Sequence, residues 1–252
     1  MTRPEQEADD HFIQKPFLEH LEDLRRTLIL CFASLAAGIL IALPLAPVLL
    51  DLLKRPLVAA GYDPDALLGI YRVAGGFSCA LRIGFWGGLL IGFPGILAAI
   101  CLFIFPGLTR RERRRLLAAL TGAAALFCCG AALAYTVMMP LVFRVMERAN
   151  GWMKIQWAFI ELGDYVAFVL KLITAFGAAF ELPVIVFALG WLGLVNARQL
   201  REKRRHVIVG LMVLGMLLTP PDPLTMLMMA LPMIALYEAC IWSVWLLERR
   251  RA

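Results

Sequence analysis

Apolar residues run in long blocks along this chain, and polar residues cluster between them. Six blocks stand out, at about 27–50, 83–105, 116–139, 165–195, 207–218 and 224–247. All but the one at 207–218 reach the roughly 20 residues that a helix needs to cross a bilayer. That block gives roughly 18 Å of helix at 1.5 Å per residue, against about 30 Å of hydrocarbon. Behind it, Thr219-Pro220-Pro221-Asp222-Pro223 cannot stay helical through its prolines. The pattern predicts an all-α integral membrane protein of six transmembrane helices whose last two form a short hairpin. Such a hairpin is shielded by neighbouring helices, set in a thinned bilayer, or re-entrant. No soluble domain fits between the blocks. Residues 1–252 therefore read as a single transmembrane domain, with a polar N-terminal segment over 1–26 and a tail over 248–252. No internal repeat of the kind many secondary transporters carry is visible.

Composition agrees. Hydrophobic residues make up 61% and charged residues 17%, against about 45–50% and 25% in a soluble domain. The net charge of +6 does not point to nucleic acid, because the basic residues fall in short clusters between apolar blocks. Arg25 and Arg26 precede the first block, Arg110 to Arg115 follow the second, Arg198 to Arg205 follow the fourth, and Arg249 to Arg251 close the chain. Outside the blocks, 17 Lys and Arg lie on one side and 7 on the other, with Lys171 left inside. The positive-inside rule then places both termini in the cytoplasm. The first residues lack the basic start and short apolar core of a cleavable signal peptide, so they read as a retained cytoplasmic segment. The cysteines (Cys31, Cys79, Cys101, Cys128, Cys129 and Cys240) lack metal-ligand spacing and read as small buried apolar residues. His11, His20 and His206 are scattered, so no metal or cofactor is expected.

One ionisable residue is out of place. Glu181 lies in Phe176-Gly177-Ala178-Ala179-Phe180-Glu181-Leu182-Pro183, deep within the fourth block. A carboxylate at that depth costs about 3 kcal/mol or more and usually faces a partner, a wet cavity or a ligand path. Pro183 loosens the helix beside it. Its plainer role is a protonated carboxyl bonded to a neighbouring helix backbone.

Three separated segments resemble the TatC family, the polytopic subunit of twin-arginine protein translocases. They are His20-Leu21-Glu22-Asp23-Leu24-Arg25; then Phe105-Pro106-Gly107-Leu108 with Glu112-Arg113-Arg114; and Phe176-Gly177 through Glu181-Leu182-Pro183, continuing to Arg204-Arg205 and Leu218-Thr219-Pro220-Pro221-Asp222. The likeness runs from about Pro16 to Glu238. It implies a curved six-helix receptor in the bacterial inner membrane that binds paired-arginine signal peptides of folded cargo. It further implies TatA-type and TatB-type single-span partners, homo-oligomers within the complex, contact with membrane lipid, and transport driven by the proton-motive force, with no enzymatic chemistry. The chain departs from the family pattern in three places. Asp23 stands where Glu is usual, Thr225-Met226 where Ser-Gln is common, and Gly75-Gly76 where a proline is common.

The resemblance also implies site residues. Asp23 and Glu112 are expected to read the arginine pair, since a guanidinium takes two hydrogen bonds from a planar carboxylate. Asp23 is one methylene short of glutamate, so Glu22 or Glu19 shares its role. Each has a plainer reading. Glu112 can simply neutralise Arg110, Arg111 and Arg113 to Arg115, and Glu19, Glu22 and Asp23 can favour the positive end of a helix dipole. Phe103 and Pro56 match positions tied to signal-peptide contact and to the shape of the periplasmic side. Thr219, Asp222 and Met226 are expected at the periplasmic or partner-contact end, where Asp222 equally suits a turn. Glu181 is expected to meet the signal peptide or a partner helix. Glu238 stands evenly between structure and function, Arg25 meets lipid headgroups or the acidic cluster, and Lys171 snorkels. Two other classes compete. A small-solute transporter would use Glu181 and Lys171 for a proton-coupled path. An intramembrane enzyme lacks any Ser/Lys, His-Glu-x-x-His or paired-aspartate arrangement.

Overall fold

The computed structural model describes residues 17–104, 110–154, 159–191, 195–218 and 223–251. Helix α1 (Phe17–Ala42) is already formed ten residues before the first apolar block. It ends at Ala42 because Pro44 cannot donate within a helix and crowds the preceding turn. Helix α2 (Ala46–Ala59) restarts with a proline in its first turn, where the missing N–H is not needed. The block expected as one span over 27–50 is thus the end of α1 and the start of α2.

Asp63 caps the short helix α3 (Pro64–Leu67), its side chain accepting from the Asp65 N–H at 3.1 Å. Strand β1 (Leu68–Gly69) pairs in parallel with β2 (Ile160–Glu161). Lys54 to Asp65 at 2.8 Å, Arg72 to Glu161 at 3.7 Å and Arg82 to Asp164 at 3.2 Å surround this pairing. Arg82 also donates to the Gly163 carbonyl at 2.6 Å. At least one partner of each ion pair is largely exposed, so the pairs fix geometry more than they stabilise.

Helix α4 (Gly75–Ile104) returns antiparallel to α1 in direct backbone contact. A Cβ on Gly88 would lie 2.6 Å from the Ile39 nitrogen, and one on Gly92 would lie 2.6 Å from the Ser34 carbonyl oxygen. A Cβ on Gly38 would fall on the Gly88 carbonyl. Small residues at helical spacing allow this approach in a membrane, where no hydrophobic force drives helices together.

Helix α5 (Arg110–Leu133) passes through a π turn at Ala134–Met138 into α6 (Met139–Trp152). Pro140 follows the π turn; it has no N–H for the Thr136 carbonyl, and the wider turn absorbs the misfit. The block expected at 116–139 is therefore part of a longer rod. Cys128 and Cys129 are exposed rather than buried, because α5 turns Phe127 and Gly130 toward α7 instead.

Helix α7 (Leu162–Ala179) is the centre of the packing. Val166, Val169, Leu172 and Phe176 are fully buried, and the helix packs against both α4 and α5. Helix α8 (Leu182–Trp191) continues after a break at Phe180-Glu181, so the block expected at 165–195 is not one helix. Pro183 explains the break, as it offers no N–H to the Ala179 carbonyl. Helices α9 (Ala197–Glu202), α10 (Arg204–Leu218) and α11 (Pro223–Arg251) complete the described chain.

Among the described residues, five stretches are long and apolar enough to cross a membrane: Leu21–Ala42, Gly75–Phe103, Leu120–Trp152, Leu162–Phe187 and Met226–Arg249. Helix α10 has 15 residues, about 22 Å at 1.5 Å per residue. Large apolar side chains such as Phe32, Leu40 and Leu217 are two-thirds or more exposed. That exterior suits lipid rather than water.

Candidate functional site

The close contact of α1 and α4 fixes their register. Ser34 faces Gly92 and Ile39 faces Gly88. Continued toward the start of α1, that register sets Phe103, near the end of α4, level with Asp23. Both side chains are half-buried, while Glu22, one position away on α1, is exposed. Helix α5 begins nearby at Arg110, which puts the Glu112 backbone in its first turn; the Glu112 side chain lies outside the described residues. The structure thus gathers two sequence-predicted residues at one end of the α1–α4 pair, and the helix of a third starts six residues after α4 ends.

Glu181 lies at the α7–α8 break. Its N–H reaches back to the Ala178 carbonyl at 3.1 Å, and its own carbonyl accepts from Ile185 at 3.0 Å. The backbone is therefore satisfied although Pro183 interrupts the ladder. The side chain is 5% exposed, and its Oε1 has no hydrogen-bond partner among the described residues. Leaving a buried acceptor unsatisfied costs about 1–3 kcal/mol, so the carboxyl lowers stability here unless a further donor meets it. It is not on an open face in this arrangement.

Lys171 does not pair with it. Ten positions along α7 separate the two, about 15 Å. Lys171 is half-buried on the side of α7 away from its core face and makes no hydrogen bond or ion pair among the described residues. Glu238 is accounted for structurally. Its carboxylate takes both arms of the Arg204 guanidinium, at 2.7 and 2.9 Å, tying α11 to α10.

Pro56 is buried inside α2. Having no N–H, it leaves the Leu52 carbonyl without its helical donor. The Tyr135 hydroxyl, from the π turn, donates to that carbonyl at 2.6 Å, and the Tyr165 hydroxyl of α7 donates to the Leu53 carbonyl at 2.5 Å. The proline-containing helix is thus tied to two other parts of the chain. Beside these tyrosine contacts lies a half-open apolar pocket of about 280 Å³, lined by Leu49, Leu53, Leu90, Ala131, Tyr135 and Ile173 among others. Sequence reasoning missed both tyrosines. The signal was half present, since a proline inside a helix always frees one carbonyl, but its new donor comes from far along the chain. Tyr135→Phe is expected to destabilise the protein by about 1 kcal/mol. Pro56→Ala should remove that penalty, because alanine restores a backbone N–H that can take the Leu52 carbonyl itself. A double-mutant cycle of thermal stability in detergent measures the coupling; additive losses would contradict it.

At the α10–α11 hairpin, Met226 is half-buried, and its carbonyl would lie 3.3 Å from a Cβ on Gly215. Thr219 and Asp222 lie outside the described residues.

Residues 19–232 match the family described as Sec-independent protein translocase protein (TatC). The chain is 34% identical over 236 residues to the protein of that name from Deinococcus radiodurans, covering 92% of this chain and 86% of that one. It is also 34% identical over 224 residues to that of Escherichia coli, covering 89% and 86%. A crystal structure described as that of the twin arginine translocase receptor TatC superposes with a TM-score of 0.82 at 30% identity, covering 90% of this chain and 98% of the other. The register that aligns Asp23 with Phe103, the buried carboxyl at a helix break and the short α10 therefore belong to a multi-pass membrane protein of the TatC family, a component of Sec-independent protein translocation.

Proposed function

We propose that this chain is the receptor core of a twin-arginine translocase in a bacterial inner membrane, with both termini in the cytoplasm. Paired arginines of a signal peptide engage carboxylates of Asp23 and Glu112 at the end where α1 starts and α4 finishes, with Glu22 beside them and Phe103 giving an apolar contact. The observation that carries this reading is the α1–α4 register, which sets an acidic and an aromatic side chain level with each other beside the start of α5. Carboxylates are needed there because Arg25 and Arg26 lie close by on α1 and would repel a basic peptide.

Glu181 acts later, when an inserted peptide or a partner helix reaches the α7–α8 break and offers its unpartnered oxygen a donor. Pro56 holds the shape of the opposite end through the two tyrosines, and Thr219, Asp222 and Met226 contact TatA-type and TatB-type single-span partners near the α10–α11 turn. Several copies work in one complex, and the proton-motive force drives cargo across. The chain's own part is binding and assembly rather than catalysis. A small-solute transporter is the weaker reading, since the 15 Å between Lys171 and Glu181 breaks the path it would need.

The test is export of a folded reporter carrying a twin-arginine signal, in cells lacking their own receptor and supplied with this chain and its partners. Glu181→Leu is expected to lower export about 10-fold or more, with signal-peptide binding retained, as loss of a buried hydrogen bond does. Glu181→Gln, which can still bond, should keep part of it. Full export by Glu181→Leu, or solute uptake by the purified chain alone in liposomes, would contradict the proposal.

A further inference from the structure

Outside the site, exposed basic residues gather where α9 meets α10. Arg201, Lys203 and Arg205 are exposed and form no ion pair among the described residues, whereas Arg198 pairs with Glu202 and Arg204 with Glu238. The segment is held firmly. Asn196 and Gln199 form a capping box at the start of α9, and the Ala197 N–H donates to Glu248 of α11 at 2.8 Å. The Tyr237 hydroxyl of α11 donates to the Leu200 carbonyl at 2.9 Å.

The depth of this turn is the informative quantity. Gly215 meets Met226 and Arg204 meets Glu238, so α10 and α11 run antiparallel in a fixed register. The first residue of α10 is therefore level with about Glu238. Helix α11 continues past that level with Trp242 57% and Leu246 52% exposed, and Arg249 lies 5.2 Å over the Trp245 ring. Exposed Trp and Leu ending in a cation mark a lipid-facing surface that reaches the membrane boundary near residue 246. From residue 238 to residue 246 is about 12 Å of helix. The α9–α10 turn thus lies about 12 Å short of the end that α11 reaches, while the start of α9 stays level with Glu248, so its cations face the headgroup layer. Lipid phosphates are the anions within reach of such side chains there.

We propose that the α9–α10 turn is a binding site for the headgroup of an anionic phospholipid, its phosphate held by Arg201, Lys203 and Arg205. The inference rests on the chain's being a membrane protein and not on its binding of signal peptides. The other chemistry such a turn could hold is a soluble phosphate.

The full-length protein in neutral detergent would be titrated with phosphatidylglycerol, phosphatidylcholine and inorganic phosphate, with bound lipid counted by native mass spectrometry. Phosphatidylglycerol is expected to bind about 10-fold or more tighter than phosphatidylcholine, a preference three basic residues near a headgroup can supply. The variant R201Q/K203Q/R205Q should lose that preference. R201K/R205K, which keeps the charge, should retain it, as should R144Q/R148Q on α6. An undiminished preference in R201Q/K203Q/R205Q would overturn the proposal. So would full displacement of the lipid by inorganic phosphate, which would assign a soluble anion instead.

Discussion

Replacing Glu112 by Gln is expected to weaken binding of a twin-arginine peptide by about 10- to 100-fold and to leave a twin-lysine peptide almost unaffected. A hydrogen bond to a charged group contributes about 1.5–3 kcal/mol, and the planar guanidinium draws on a carboxylate's two oxygens where an ammonium meets only a point charge. Glutamine keeps the shape and loses one acceptor and the charge. Asp23→Asn should act in the same direction. The two losses together should fall short of their sum where one arginine reaches both carboxylates, and add where each takes its own. Equal loss of the arginine and lysine peptides would show that Glu112 only neutralises the arginines around it. The measurement is equilibrium binding of labelled peptides to the purified chain, at fixed salt because the surrounding field is screened.

Gly92→Leu is expected to abolish accumulation of the folded protein. A Cβ there would lie 2.6 Å from the Ser34 carbonyl oxygen, a backbone atom that cannot swing aside. Overpacking a core typically costs about 1–3 kcal/mol. Here the whole side chain must also enter the α1–α4 seam, which forces the helices apart and takes Asp23 away from Phe103. Gly122→Leu is the matched control, because a Cβ on that glycine of α5 meets nothing within 4 Å. It should fold and bind as the parent does. The readout is the monodisperse fraction in detergent and, for any folded remainder, peptide binding. Normal folding and binding of Gly92→Leu would refute the claim that this seam positions the site.

How much of this was legible in the chain depends on the range of the interaction involved. Apolar blocks report burial in lipid directly, so the helical membrane class could be read from composition and run length. Helix ends could not be read the same way. Helix α1 starts ten residues before its apolar block because helices extend through polar sequence once packed. Helix α7 stops inside its block because Pro183 acts locally against a favourable environment. The shortness of α10 was visible, since the prolines after Leu218 set a hard limit.

Glu181 stood out by its cost, and its position at a break followed from Pro183. Its burial, with an oxygen left unsatisfied, needed coordinates. The level match of Asp23 with Phe103 had no local signal. It comes from glycines of α4 meeting Gly38 and Ser34 of α1, a pairing set by two helices distant in sequence. Tyr135 and Tyr165 were overlooked for the same reason, because the carbonyls they cap belong to α2. Glu238 shows the opposite outcome: the coordinates supply a structural partner for it, the two-armed pair with Arg204.

The most direct test of the central claim is photo-crosslinking from a twin-arginine signal peptide, with the probe beside the arginine pair, to this chain in membranes containing its partners. Labelling should fall near Asp23, Phe103 and Glu112, require both arginines, and drop sharply when Asp23 and Glu112 are replaced together. Labelling that ignores the arginines, or that survives loss of both carboxylates, would contradict the account.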